Sequence, residues 1–263
     1  MARGYSIKTL SEKRRATPRF FIVLGCVIAL FSLVLVLLSL PDTSSGDAAE
    51  QQQGNRFDGT SSTPSPYQKN GDPYLVLVNL QNPILDEADP KNLVLLQPIV
   101  GDVAWVERQD QQCLEQKTAY ALQDMLTVAA QDGMGTYIVN SAYRSVAYQR
   151  DIYNENYETY EAMRQNGEPL RAMPGNMSEH STGLAVDIFH IDYRQGNQGF
   201  ADTAAAQWLA DNCHKYGFIL RYPQDKEEIT GVMFEPWHFR YVGVEHATKI
   251  MQQGLCLEEY LMQ

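Results

Sequence analysis

Two histidines, an aspartate and a glutamate stand in this chain at spacings that suit metal-assisted hydrolysis. Residues 178–187 read SEHSTGLAVD, which puts His180 seven residues before Asp187. Gly183 permits a tight or left-handed turn after His180, and the apolar run LAVDIF over 184–189 has strand character. If the turn folds back over that strand, an imidazole and a carboxylate converge, giving two of the three ligands of an open metal site. A second stretch, GVMFEPWHFRYV over 231–242, can supply the third: Glu235 precedes His238 by three residues, and Pro236 keeps the segment from being central strand or mid-helix. A metal lowers the pKa of its bound water and a nearby carboxylate takes the proton. His180, Asp187, Glu235 and His238 therefore form one hypothesis.

The elements that must position these residues follow from the pattern around them. YLVLVN over 74–79 reads as a first strand and LVLL over 93–96 as a short second one, with a turn-rich segment between. Residues 113–130 read as a helix whose apolar face is Leu122, Met125, Leu126 and Ala129; Gly133 and Gly135 stop it, and TYIVN over 136–140 returns to strand. SAYRS follows, with Gln149 five residues after Arg144 where a new helix begins. Taken alone, Arg144 is an ordinary surface arginine; beside a metal site its guanidinium can hold a carboxylate or a tetrahedral oxyanion.

The helix from Ala147 carries Tyr148, Ile152, Tyr153, Tyr157 and Tyr160, a stripe read as packing. Residues 165–177 form a Gly- and Pro-containing loop that delivers Ser178. Strand alternation puts His190 on the face opposite Asp187. Residues 203–216 read as a helix with Trp208, Leu209 and Cys213 inward, FILRY over 218–222 as strand and 244–253 as a final helix, with His214 and His246 at the surface.

The chain has 263 residues and a formal net charge of −11 at pH 7, enough for one sizeable domain with appendages. Six basic residues and one acid precede residue 20, so the remainder carries about −16. That surface argues against nucleic acid, which needs clustered positive charge. Residues 20–40 are 21 uncharged positions behind a basic flank, long enough to cross a hydrocarbon core of about 30 Å. The expectation is a basic cytoplasmic tail (1–19), an uncleaved transmembrane anchor (20–40), a flexible linker (41–73) and an extracytoplasmic domain (74–263). A cleaved signal peptide would have a shorter apolar core and a better cleavage site than Ser39-Leu40-Pro41. VLGC over 23–26 only weakly resembles a lipoprotein processing site, because few apolar residues precede Cys26. Tethering outside the membrane suggests work on the cell envelope. Beyond Cys26 lie Cys113, Cys213 and Cys256. Three cannot all pair within one chain, and no CxxC is present to suggest a cysteine zinc site.

The joint pattern carries more weight than any one residue. Five fixed positions in SxHxxGxAxD, at about 5–7% each, predict on the order of 10⁻⁴ chance matches in such a chain. Together with SAYRS and Gln149, GFILRYP and EPWHFRYVG, the pattern resembles the VanY-like D-alanyl-D-alanine carboxypeptidases, zinc peptidases of bacterial cell-wall peptides, over most of 74–257. The resemblance implies Zn2+ on His180, Asp187 and His238, Glu235 as base, and substrate contacts from Arg144, Gln149 and Ser178. It implies a small α+β domain, with an antiparallel sheet carrying the zinc site, helices packed against one side and a transmembrane helix in front. Peptidoglycan stem peptides are then the partner, cut by a D,D-carboxypeptidase. An L,D-carboxypeptidase, an endopeptidase or dipeptidase, and a non-catalytic wall-binding module are the alternatives. Ala142 stands where the family often has Gly.

Overall fold

The apolar runs at 137–141, 185–190 and 238–241 build the sheet on which everything else is laid. The computed structural model describes residues 71–84, 90 and 92–263. The expected tail, membrane span and nearly all of the linker lie outside the described residues, among which no helix is long and apolar enough to cross a membrane.

In chain order the elements are β1 (Leu93–Leu95), α1 (Gln97–Val100), β2 (Ala104–Val106), β3 (Cys113–Glu115), α2 (Gln116–Gln131), β4 (Tyr137–Ser141), α3 (Val146–Glu155), α4 (Tyr157–Asn166), β5 (Ala185–His190), α5 (Ala204–Asn212), β6 (Phe218–Leu220), α6 (Glu227–Thr230), β7 (His238–Tyr241), α7 (Val244–Gln253) and α8 (Leu257–Leu261). This is a mixed α+β fold. β1 and β3 form a two-stranded antiparallel sheet, and the main sheet runs β2-β4-β5-β7-β6.

The main sheet is not wholly antiparallel as expected: β2 and β4 pair in parallel. The reason is connectivity, since the chain leaves β2, forms β3 and the sixteen-residue α2, and returns to β4. A long crossover of this kind joins parallel strands.

Alternation along β5 and β7 divides the sheet into two faces. Val186 pairs with Phe239, and Asp187 with His238. Val186, Ile188 and Phe239 enter the main core together with Leu122, Met125 and Leu126 of α2 and Leu209 of α5. Each such side chain stabilises the fold by about 1.5–3 kcal/mol relative to exposure. Asp187, His238 and Arg240 are left for the other face.

Three local expectations change. YLVLVN over 74–79 forms no strand, although Leu75, Leu77 and Val78 are buried. Arg240 Nη2 donates to the carbonyls of Tyr74 and Val76 at 3.2 and 2.7 Å, so a guanidinium meets the need that a neighbouring strand would have met. Residues 113–115 pair with β1, and the helix starts at Gln116, where the Glu115 carboxylate accepts from Thr118 N at 3.0 Å. The tyrosine-bearing helix breaks at Asn156 into α3 and α4. Cys113, Cys213 and Cys256 are all free thiols.

Candidate metal centre

His180 lies in a 3₁₀ turn, Glu179–Thr182, that Gly183 closes in the left-handed conformation (φ 72°). A Cβ at Gly183 would come within 2.8 Å of Leu93 Cδ2 and 3.3 Å of the Glu115 amide, so the turn fits against β1 and β3 only with glycine there. His180 Nδ1 donates to the Ala142 carbonyl at 2.6 Å, which leaves Nε2 with its lone pair free, 3.3 Å from Asp187 Oδ2. Ala142 is fully buried and takes part through its carbonyl, so an alanine in place of glycine leaves this contact intact.

Asp187 is in β5 beside β4, where a register shift falls between Val139 and Ser141. Such bulges turn side chains at functional sites. Across β7, His238 Nδ1 is 3.0 Å from Asp187 Oδ1 and 3.6 Å from Glu235 Oε2. The Glu235 amide donates to the Tyr222 carbonyl, and the His238 amide to the Glu235 carbonyl, at 3.1 Å each. The EPWH turn is thereby tied to the end of β6.

One ligand atom each from His180, Asp187 and His238 lies within 4.8 Å of the others. Two imidazoles and one carboxylate, with room for a fourth position, are the donor set of an open zinc site. The electrostatics agree. Burial, helped by the Arg144 charge, pushes His180 down to about 4, so its ring is neutral at pH 7. Burial works against the charge on Asp187, but the two flanking imidazoles, His180 and His238, together outweigh it and the carboxyl stays well below the usual range. Burial also opposes protonation of His238, yet its contact with the Asp187 carboxylate and the nearby Glu179 carboxylate prevail and raise it to about 9. Glu235 is pushed up to about 8 by burial. A dication bound here adds a local charge that favours loss of both protons.

The site opens into a cavity of about 260 Å³ lined by Arg144, Gln149, Ser178, Tyr160, Arg171 and Trp237, among others. Arg144 belongs to the same loop as Ala142, and its amide donates to the His180 carbonyl at 3.2 Å. Its Nε is buried without a hydrogen-bond partner. Gln149 Nε2 donates to the Met173 carbonyl at 2.7 Å, and its Oε1 is buried and unpartnered. Ser178 is buried at the cavity wall.

His190 lies outside the group: its Nε2 contacts the Met134 carbonyl at 2.7 Å. His246, expected at the surface, is half-buried with Nδ1 at 2.7 Å from Tyr260 Oη, and His214 is also half-buried. The tyrosine stripe splits: Tyr153 is buried and donates to Glu161, whereas Ile152 and Tyr160 line the cavity.

Sequence reasoning passed over Glu179, Arg221, Arg240 and Glu258, four buried charges grouped behind His238. A signal existed for one of them. Arg240 is two residues after His238 in a strand, hence on the same face.

Taken together, an α+β sheet presenting two histidines and an aspartate to a cleft, with a glutamate alongside, defines a metallopeptidase-type centre. A family model for VanY, D-alanyl-D-alanine carboxypeptidase, matches residues 111–244. A D-alanyl-D-alanine carboxypeptidase from Enterococcus faecalis is 41% identical over 196 residues, which are 71% of this chain and 65% of that protein. The chain thus spans just under two thirds of that relative. The structure of the LdcB LD-carboxypeptidase matches with 34% identity and a TM-score of 0.63, covering 71% of this chain and 84% of that one. A variant of the vancomycin resistance D,D-pentapeptidase VanY from the VanB-type cassette, in complex with Zn(II), matches with 37% identity and a TM-score of 0.57, over 72% and 99%. The chain belongs to the VanY family of D-alanyl-D-alanine carboxypeptidases.

Proposed function

We propose that this protein is a zinc-dependent carboxypeptidase that removes the C-terminal D-alanine from peptidoglycan stem peptides. The observation that carries the reading is the grouping of His180, Asp187 and His238 within 4.8 Å, with Glu235 beside them and an unpartnered Arg144 Nε in the same cavity wall.

His180, Asp187 and His238 would hold the zinc, which would supply Lewis acidity and lower the pKa of water toward neutrality. Glu235 takes the proton of the attacking water on its carboxylate and returns it to the departing amine. Arg144 pairs with the terminal carboxylate of the substrate or with the oxyanion, a charge-assisted contact in either case. Gln149, its amide nitrogen already bound, offers Oε1 to a substrate N–H. Ser178 offers a hydroxyl at the wall.

A second cavity of about 300 Å³ shares Arg171, Glu235 and Trp237 with the first and adds Asn197, Gln198 and Phe234. It gives the acyl side of a longer peptide somewhere to lie, which favours a stem peptide over a free dipeptide. Likeness to the LdcB LD-carboxypeptidase supports a second reading, an L,D cut on the shorter stem. Incubation of the zinc-loaded protein with a pentapeptide ending in D-alanyl-D-alanine and with the matching tetrapeptide decides between them. Release of D-alanine from the pentapeptide alone is expected; release from the tetrapeptide alone establishes the L,D reading, and release from neither refutes both.

The uncharged run 20–40 behind its basic flank supports attachment to the cytoplasmic membrane, with the domain outside. Fractionation is expected to place the protein with membranes, released by detergent and retained in high salt.

A further inference from the structure

Glu179 has no part in the reaction above, yet it is sealed directly behind a metal ligand. Its Oε1 accepts from Arg221 Nε at 2.8 Å and from Arg240 Nη1 at 2.7 Å. Arg221 turns its other nitrogens on Glu258 at 2.8 and 2.7 Å. Two guanidinium groups and two carboxylates thus balance one another, and one oxygen of Glu179 meets both arginines.

Oε2 is left over. It is buried, has no partner within hydrogen-bond length, and lies 3.7 Å from His238 Nε2, which is also buried and unpartnered. The other nitrogen of the same ring, Nδ1, faces Asp187 and Glu235. A buried carboxylate oxygen and a buried ring nitrogen without partners are each costly. A shift of about 0.5–1 Å joins them.

We propose that Glu179 is a positioning residue for the metal centre: its Oε2 accepts the N–H of His238 Nε2 and so fixes the tautomer that presents the Nδ1 lone pair to zinc. A carboxylate behind a ligand histidine also increases the ring's basicity as a ligand. A purely structural ion cluster gives no reason for this geometry, because the arginines are satisfied by Oε1 and by Glu258. The inference rests on His238 being a zinc ligand, as in the function proposed above.

The test uses the full-length zinc-loaded protein labelled with ¹⁵N-histidine. Long-range ¹H–¹⁵N spectra are expected to show His238 protonated at Nε2 and bound to metal through Nδ1; metal at Nε2, or no proton there, overturns the proposal. Glu179→Gln cannot accept from the arginines and from His238 at once. It is expected to weaken zinc binding by about 10- to 100-fold and to shift the absorption bands of the Co(II)-substituted protein. Glu258 accepts from Arg221 through both oxygens, and Glu258→Gln is expected to lower Tm while leaving the Co(II) bands in place. Zinc affinity that merely follows Tm in both variants overturns the proposal, and if Glu179→Gln fails to fold, the wild-type spectra decide. A Co(II) spectrum unaltered by His238→Ala refutes the metal-site reading itself, a separate failure.

Discussion

Two carboxylate clusters flank His238, and they differ in where their positive charge comes from. In front, Asp187 and Glu235 line the cavity, with side chains 12% and 13% exposed. Behind, Glu179 and Glu258 are neutralised by Arg221 and Arg240, whose side chains are fully buried. The rear cations are covalently part of the chain, so that cluster is complete once the protein folds and contributes rigidity. Among the described residues the front carboxylates have no arginine paired to them, Arg144 standing in the same cavity wall without a salt bridge to either, and on the reading proposed above an exchangeable ion completes the cluster. The same residue type serves architecture or reaction according to whether its counter-charge can leave.

The contrast is broken most severely at the ligands. His180→Ala is expected to abolish zinc binding and with it turnover, as checked by metal content after dialysis and by D-alanine release. Glu235→Gln keeps the three ligands and is expected to retain zinc while kcat falls by about 10²–10⁴; Tm unchanged with activity lost places Glu235 in the front cluster's chemistry. Arg144→Ala is expected to lower kcat/KM by about 10²–10³, measured on the pentapeptide, with metal content intact.

The rear cluster responds in stability instead. Glu258→Ala leaves Arg221 with one of its two carboxylates and is expected to cost about 3–5 kcal/mol, read from denaturant unfolding of the metal-free protein. Acid should reveal the same cluster more gently. Burial opposes the charge on Glu258, but Arg221 outweighs it and the carboxyl titrates below its ordinary value. A group with a depressed folded pKa contributes stability that is full above its unfolded value, about 4.3, and is lost as pH falls further. The unfolding free energy should therefore drop below about pH 4, less steeply in Glu258→Gln.

The front cluster was legible in the sequence because its parts are local: His180, Gly183 and Asp187 share one ten-residue stretch, and Glu235 and His238 share one turn. The rear cluster was not, because Glu179 meets partners 42 and 61 residues away. Nothing in a linear pattern announces that an arginine in a β-strand will be buried against a glutamate in a turn. That same arginine explains the missing first strand: YLVLVN has the composition of a strand, but two of its carbonyls are held by Arg240. The parallel edge pair was recoverable in principle, since a long helical return between 104–106 and 137–141 demands it. The membrane span, legible as composition, lies outside the described residues and remains a proposal.

The short bridge between the loop at 142–144 and the turn at 179–182 has a metrical consequence. His180 Nδ1 donates to Ala142 O and Arg144 N to His180 O at 2.6 and 3.2 Å, so the proposed metal ligand and the arginine proposed to grip the substrate's end are tied through one ring contact and one backbone contact. On the function proposed above, with Arg144 taking the terminal carboxylate, this coupling would make the site a gauge: the length of the clamp would set how far from the chain end the bond is cut.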